Sequence, residues 1–135
     1  MNILKLFKPR KTFVFDVDGV LATDMLVIFQ DGDMARNMNS KDGYALQLAV
    51  KKGYEVAIIS GGSPEPVRQR LERLGVQNIF LGIHNKKEKL LEYVQQNGLR
   101  LEEVLYMGDD IPDYLVMSLV GLPCCPADAV PEIKL

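Results

Sequence analysis

Two aspartates two residues apart, Asp16 and Asp18, directly follow the apolar run Phe13-Val14-Phe15. A buried apolar strand gains nothing from paired charges, so acids at its end serve solvent, a local cap or a ligand. Other chemically capable residues follow other apolar runs: Ser60 after 55–59, Lys86 shortly after 78–81, and Asp109 with Asp110 after 104–107. Three carboxylates (Asp16, Asp18, Asp109) gathered at one point would repel and raise one another's pKa values, so the set implies a bound cation. All-oxygen ligands with few carboxylates favour magnesium, completed by water and phosphate oxygens, over an all-protein calcium cage. Asp31-Gly32-Asp33 does not have the spacing of a helix-flanked calcium loop. Lys86 as a point charge and Ser60 as a hydrogen-bond donor suit the remaining sides of a phosphoryl group. Each residue taken alone has a plainer reading: an aspartate as a cap, Ser60-Gly61-Gly62 as a turn, Lys86-Lys87-Glu88-Lys89 as a solvated helix face.

The elements that would position this set alternate along the chain. Apolar runs rich in β-branched or aromatic residues predict strands over 12–15, 55–59, 78–81, 104–107 and, more weakly, 121–124. Helical spacing lies between them: Ala45, Leu48 and Ala49; Val67, Leu71 and Leu74; Leu90, Leu91 and Val94; Leu115, Val116 and Leu119. Asp42 is a candidate cap, Ser63 precedes Pro64 at a candidate first helical position, and Gly53, Gly75 and Gly98 stand where three helices should stop. Strand alternating with helix predicts an α/β fold, a Rossmann-like parallel sheet between two helical layers. In such sheets ligands sit beyond the carboxyl ends of the strands, which is where the candidate residues fall. Residues 19–41 are too long for an ordinary strand–helix loop of about 2 to 6 residues. Strand-like 25–29, the two-residue turn signal Asp31-Gly32 and a return over 34–39 predict a β-hairpin flap spanning about 24–39.

Composition narrows the function. Of 135 residues, 16 are basic and 18 acidic, and the net charge of −2 provides no field for holding a nucleic-acid backbone. No apolar run approaches the roughly 20 residues that cross a bilayer, and the alternating start of the chain reads as a solvated tail rather than a signal or a membrane anchor. The only cysteines, Cys124 and Cys125, are adjacent and cannot staple distant segments, which fits a reducing cytoplasm. With no repeat, linker or low-complexity segment, one domain over 1–135 with no cap domain is expected.

Asp16-Val17-Asp18-Gly19-Val20-Leu21, Ser60-Gly61, Lys86 and Gly108-Asp109-Asp110-Ile111-Pro112-Asp113 resemble, in order and spacing, the four motifs of the haloacid dehalogenase superfamily. The flap, Asn39-Ser40-Lys41-Asp42-Gly43, Leu81-Gly82 followed by Asn85-Lys86, and Ala127-Asp128-Ala129-Val130-Pro131-Glu132 resemble its small capless subgroup of sugar-acid phosphate phosphatases. The resemblance implies a magnesium-dependent phosphomonoester hydrolase in which Asp16 is the nucleophile, forming an aspartyl phosphate, and Asp18 is the general acid and then the base. It implies magnesium held by the Asp16 carboxylate, the Asp18 backbone carbonyl and Asp109, supported by Asp110 and Asp113, with Ser60 and Lys86 on the phosphoryl oxygens. The leading implied substrate is 3-deoxy-D-manno-octulosonate 8-phosphate, a lipopolysaccharide precursor, with Gly61, Lys41, Arg70 and Asn85 as candidate contacts. Arg70 is the better shaped of the two cations for a remote carboxylate. A homotetramer is implied, the flap of one subunit covering the site of the next, and the apolar run Met25 to Phe29 independently suggests a subunit contact.

The alternatives are a phosphatase for a nine-carbon keto-deoxy sugar-acid phosphate, a non-catalytic oligomerisation domain of the same fold, and a phosphoreceiver-type switch. Against the second stands the joint presence of Asp16, Asp18, Ser60, Lys86 and Asp109; against the third, an acid two residues from the nucleophile. Three features depart from the subgroup: Met25 where relatives often have glycine, Gly62 where many have arginine, and a sequence ending at Leu135 where relatives continue into a glycine-rich tail. His84 is expected to be an incidental loop residue, and Cys124-Cys125 a reduced strand-end pair.

Overall fold

The computed structural model describes residues 3–23, 25–62 and 64–134. Five parallel strands form one sheet: β1 (Thr12–Phe15), β4 (Glu55–Ile59), β5 (Asn78–Phe80), β6 (Val104–Met107) and β7 (Leu122–Cys124), in the order β5-β4-β1-β6-β7. The chain winds outward from β1 to β4 and β5, then crosses back to lay β6 on the other side of β1. That reversal opens a crevice at the carboxyl ends of β1 and β6, the usual ligand position in an open α/β sheet.

Alternation along each strand divides the core into two. In β4, Val56 and Ile58 face one cluster with Val17, Leu46, Val67 and Leu71, whereas Ala57 and Ile59 face another with Val14, Leu90, Tyr93, Tyr106 and Val116. The first cluster lies under α1 (Ser40–Lys51) and α2 (Glu65–Arg73), the second under α3 (Lys86–Gln96) and α4 (Tyr114–Met117). The result is the expected three-layer α/β sandwich. A further short helix, α5 (Pro131–Lys134), closes the described chain.

Helix stops follow the sequence, since Gly53, Gly75 and Gly98 take positive φ of 90°, 96° and 63° just past α1, α2 and α3. The starts differ. Asn39, not Asp42, caps α1 by accepting from the Lys41 and Asp42 amides, which leaves Asp42 inside the first turn. Pro64 occupies the cap position of α2 rather than its first helical position, and Ser63 lies outside the described residues.

The flap forms, but smaller than expected: β2 (Val27–Ile28) pairs antiparallel with β3 (Met34–Ala35), and Asp24 at its predicted edge lies outside the described residues. Its turn also differs from the two-residue prediction. A two-residue I′ turn needs positive φ at both central positions, and here only Gly32 has it, at 87°. Phe29 and Asp33 therefore pair instead, around a three-residue loop with the glycine last. At the amino terminus Ile3 and Leu4 are exposed.

Candidate active site

Asp16 sits at the end of β1, buried, its backbone amide still bonded to the Met107 carbonyl of β6. The amide of Val17 donates to Asp16 Oδ1 at 2.7 Å and Lys86 Nζ lies 3.2 Å from the same oxygen. Both contacts fall on Oδ1; Oδ2 carries neither. Gly19 turns the chain back with φ 84°, and a side chain there would run into the Asp109 carboxylate. Glycine at 19 is thus what lets the β1 and β6 loops approach.

Lys86 is the first residue of α3, with a side chain only 6% exposed. Its ammonium bridges Asp16 and Asp113, lying 2.9 Å from Asp113 Oδ1. Burial acts to lower its pKa, and the two carboxylates outweigh that and hold it above the ordinary lysine value. Asp113 is wholly buried and saturated: Oδ1 also accepts from the Tyr106 hydroxyl at 2.7 Å, and Oδ2 from the amides of Asp109 at 3.2 Å and Asp110 at 3.4 Å. It shapes the loop after β6 and anchors the lysine. Asp110 caps the single turn Ile111–Asp113 through the Ile111 amide and is exposed.

Asp16, Asp109 and Asp113 offer oxygens within 4.8 Å of one another. Burial, the Asp16, Asp113 and Asp110 charges push the Asp109 carboxyl up to about 7, against a smaller lowering by Lys86. Asp16 is raised to about 6, chiefly by burial; Lys86 lowers it and Asp113 raises it further. One ammonium therefore does not compensate three acids. The uncompensated charge, and donor atoms that are all oxygen, fit a hard divalent cation, and because Asp113 is saturated the ligands left for it are Asp16 and Asp109.

These groups surround a cavity of 430 Å³, walled by Asp16, Asp18, Ser60, Gly61, Lys86 and Asp109 among others. Ser60 follows β4, held by backbone bonds from its amide to Phe80 and from the Ile83 amide to its carbonyl. The structure brings together every candidate from the four motifs. Other candidates fall elsewhere. Asn85 is the cap of α3, its side chain accepting from the Glu88 amide at 3.0 Å, and it lines an adjoining hollow instead. Lys41 is exposed on the first turn of α1, and Arg70 lines a separate cavity of 320 Å³ between α2 and the flap. Conversely His84, expected to be incidental, is on the wall of the cavity that holds Asp16 and Lys86. A larger apolar hollow of 590 Å³ beside Ile111, Tyr114, Leu115 and Glu132 contains one carboxylate and no cation, so the chemistry is not there.

Two residues went unread in the sequence. Tyr106, on β6, is pushed far above the usual phenol pKa by burial and by Asp113, so it stays a neutral donor to that carboxylate. Arg36, just after β3, forms a two-pronged ion pair with Asp18. The continuous apolar run of β6 marks Tyr106 as buried without naming its partner; nothing local signals the second.

No family model matches the chain. It is 34% identical over 121 residues to 3-deoxy-D-manno-octulosonate 8-phosphate phosphatase KdsC of Escherichia coli (strain K12), covering 90% of this chain and 64% of that protein. The solved structure of a probable YrbI family phosphatase from Pseudomonas syringae superposes with a TM-score of 0.93 at 34% identity, covering 97% of this chain and 74% of that one. The chain belongs to the haloacid dehalogenase superfamily. A family member from Moraxella catarrhalis, solved in complex with magnesium ion, phosphate ion and KDO, superposes at TM-score 0.90 and 28% identity, covering 96% of this chain and 74% of that one. The chain spans just under two thirds of the length of its curated relatives.

Proposed function

We propose that this protein is a magnesium-dependent phosphomonoester hydrolase acting on a sugar-acid phosphate, with 3-deoxy-D-manno-octulosonate 8-phosphate as the preferred substrate. The observation that carries this reading is the placement of a buried Asp16 between Lys86 and Asp109, where β1 and β6 part. Membership of a family whose Moraxella member was solved with magnesium, phosphate and KDO supports the metal and the substrate class.

The magnesium would be held by the carboxylates of Asp16 and Asp109 and the backbone carbonyl of Asp18. When bound, it neutralises charge on the transferring phosphoryl group and on the crowded acids. Asp16 attacks phosphorus with an oxygen lone pair, and the bond from phosphorus to the sugar oxygen breaks as Asp18 delivers a proton to that oxygen. Asp18 then takes a proton from water, whose oxygen attacks the aspartyl phosphate, releasing inorganic phosphate and restoring Asp16. Lys86 and Ser60 hold the equatorial oxygens through both transfers, and Asp113 and Tyr106 keep Lys86 aimed. Splitting one hydrolysis into two positioned transfers suits a reaction whose barrier must fall by more than about 20 kcal/mol.

The flap leaves Met25, Ile28 and Phe29 at 77%, 71% and 54% exposure. An apolar ribbon of that kind supports a homotetramer in which one copy's flap covers the next copy's cavity. Among the described residues no helix is long and apolar enough to cross a membrane, and a cytoplasmic enzyme on a small soluble substrate fits the two unpaired cysteines. A phosphate-release screen over sugar-acid, sugar and aryl phosphates, with magnesium and with chelator, tests the reading. Preference for the octulosonate phosphate is expected; a preference for a nine-carbon acid phosphate would move the substrate, and no release from any would favour an inactive domain.

A further inference from the structure

Arg36 follows β3 directly and reaches from the flap back to Asp18. Its Nε donates to Asp18 Oδ1 at 2.7 Å and its Nη2 to Oδ2 at 3.2 Å. The arginine side chain is 8% exposed, although the ribbon that carries it is largely exposed. Fixing so long a side chain costs rotamer entropy, which the planar fork on a carboxylate offsets through its geometry. Neither phosphoryl transfer of the proposed hydrolysis calls on this pair.

The two bonds are unequal. Oδ1 is held at 2.7 Å, within the range of a strong charge-assisted bond, whereas Oδ2 at 3.2 Å is beyond that range and at the long end of ordinary N–H···O bonds. Oδ2 is also the oxygen turned toward Gly62: a Cβ built there would stand 3.8 Å from Oδ2 and 3.1 Å from Arg36 Nη2. Gly62 is on the cavity wall. The absence of a side chain at 62 therefore leaves room for both the guanidinium and the freer oxygen.

We propose that Arg36 is a positioning residue for Asp18. It anchors the carboxyl through Oδ1 and leaves Oδ2 facing the leaving oxygen, and its place beside β3 makes Asp18's orientation depend on where the flap sits. This rests on the phosphatase reading above. Arg36 neither gains nor loses a proton in the cycle. Oδ2 gives its proton to the sugar oxygen as that oxygen's bond to phosphorus breaks, and later takes one from the attacking water.

Arg36 then matters in proportion to how much the leaving group needs protonation. An alkyl phosphate releases a strongly basic alkoxide and depends on the acid; an aryl phosphate releases a weakly basic phenolate and depends on it far less. A residue with a merely structural role would slow both alike.

The test measures kcat and KM for a sugar phosphate and for p-nitrophenyl phosphate, at saturating magnesium, in wild type, Arg36→Gln, Arg36→Lys and Gly62→Ala. In Arg36→Gln the ratio of sugar-phosphate to aryl-phosphate kcat should fall about 10- to 100-fold, part of the roughly 10²- to 10⁴-fold that a well-placed general acid supplies, with the sugar-phosphate KM moving less than about threefold. Arg36→Lys should recover part of that ratio, because one donor to Oδ1 survives. Gly62→Ala, which crowds Nη2 but not Nε, should lower it less than Arg36→Gln. If Arg36→Gln fails to fold, the other two variants carry the comparison. Equal slowing of both substrates, a change confined to KM, or an unchanged ratio would overturn the inference. Wild-type protein inactive on both substrates would instead overturn the phosphatase reading, and this inference with it.

Discussion

Without a divalent cation the acids at the site should make the protein less stable as pH rises from about 4 to about 7, and magnesium should reverse that trend. Asp16 is buried, and its carboxyl is raised from 3.8 to about 6, chiefly by burial. In the unfolded chain it ionises near its ordinary pKa, whereas the folded, metal-free chain keeps the proton until about pH 6. Across this window the folded state binds more protons, so stability that is complete below pH 4 is lost as pH climbs through about 6. A gap of about two pH units in one proton corresponds to about 3 kcal/mol at most. Asp109 moves in the same direction, to about 7, but its carboxyl is half-exposed and shares neighbours with Asp16, so the two titrate as a group and no second increment is added. Glu102, hydrogen-bonded to Arg100, is lowered and contributes with the opposite sign. The quantity to read is therefore the urea unfolding free energy with magnesium minus that with chelator, measured between about pH 5 and about pH 7.5. It should be small at the acid end and grow toward neutrality, and Asp109→Asn should flatten it. An increment independent of pH, or larger at the acid end, would refute the claim that crowded carboxylates are what the cation relieves.

Asp16→Asn should abolish phosphate release at unchanged volume and, by removing one crowded charge, raise the melting temperature in chelator at neutral pH; a lowered melting temperature would count against the crowding. Lys86→Met strands Asp16 and Asp113 and should cost about 3 to 5 kcal/mol in denaturant unfolding. Added magnesium should not restore its turnover, whereas Asp109→Ala, which lacks a metal ligand, should recover activity as magnesium is raised; equal rescue of both would show the division of labour to be wrong. Ile28→Asp on the exposed flap should lower the mass seen by light scattering and reduce activity on the sugar-acid phosphate more than on an aryl phosphate, and an equally selective monomer would contradict the proposed assembly.

The sheet was legible because β4 and β6 are continuous apolar runs ending abruptly in polar residues, and burial on both faces leaves few other readings for such a run. For the same reason the candidate set could be gathered from sequence: Asp16, Ser60 and Asp109 are each the first or second residue after a strand, and the parallel topology carries all strand ends to one side. Local chemistry was read less well. Asn39 and Asn85 turned out to be helix caps, a role that depends on which amide lands under the side chain and not on residue type alone. Asp113 reads in sequence as a supporting acid, but its four donors come from β6, its own loop and α3, and only the folded chain assembles them. Arg36 was invisible because its partner lies 18 residues back across a hairpin whose placement on the site no local pattern encodes. Lys41 and Arg70 carry the right charge for a remote carboxylate, but neither lines the cavity that holds Asp16, and Arg70 lines another.

In the proposed reaction a buried Asp16, charge-balanced by Lys86 and a divalent cation, turns over a sugar-acid phosphate. Inorganic phosphate released from 3-deoxy-D-manno-octulosonate 8-phosphate, followed for wild type and Asp16→Asn with magnesium and with chelator, tests it most directly. Saturable turnover is expected only in wild type with magnesium. Turnover that survives in Asp16→Asn or in chelator, or no turnover in wild type with magnesium, would contradict it.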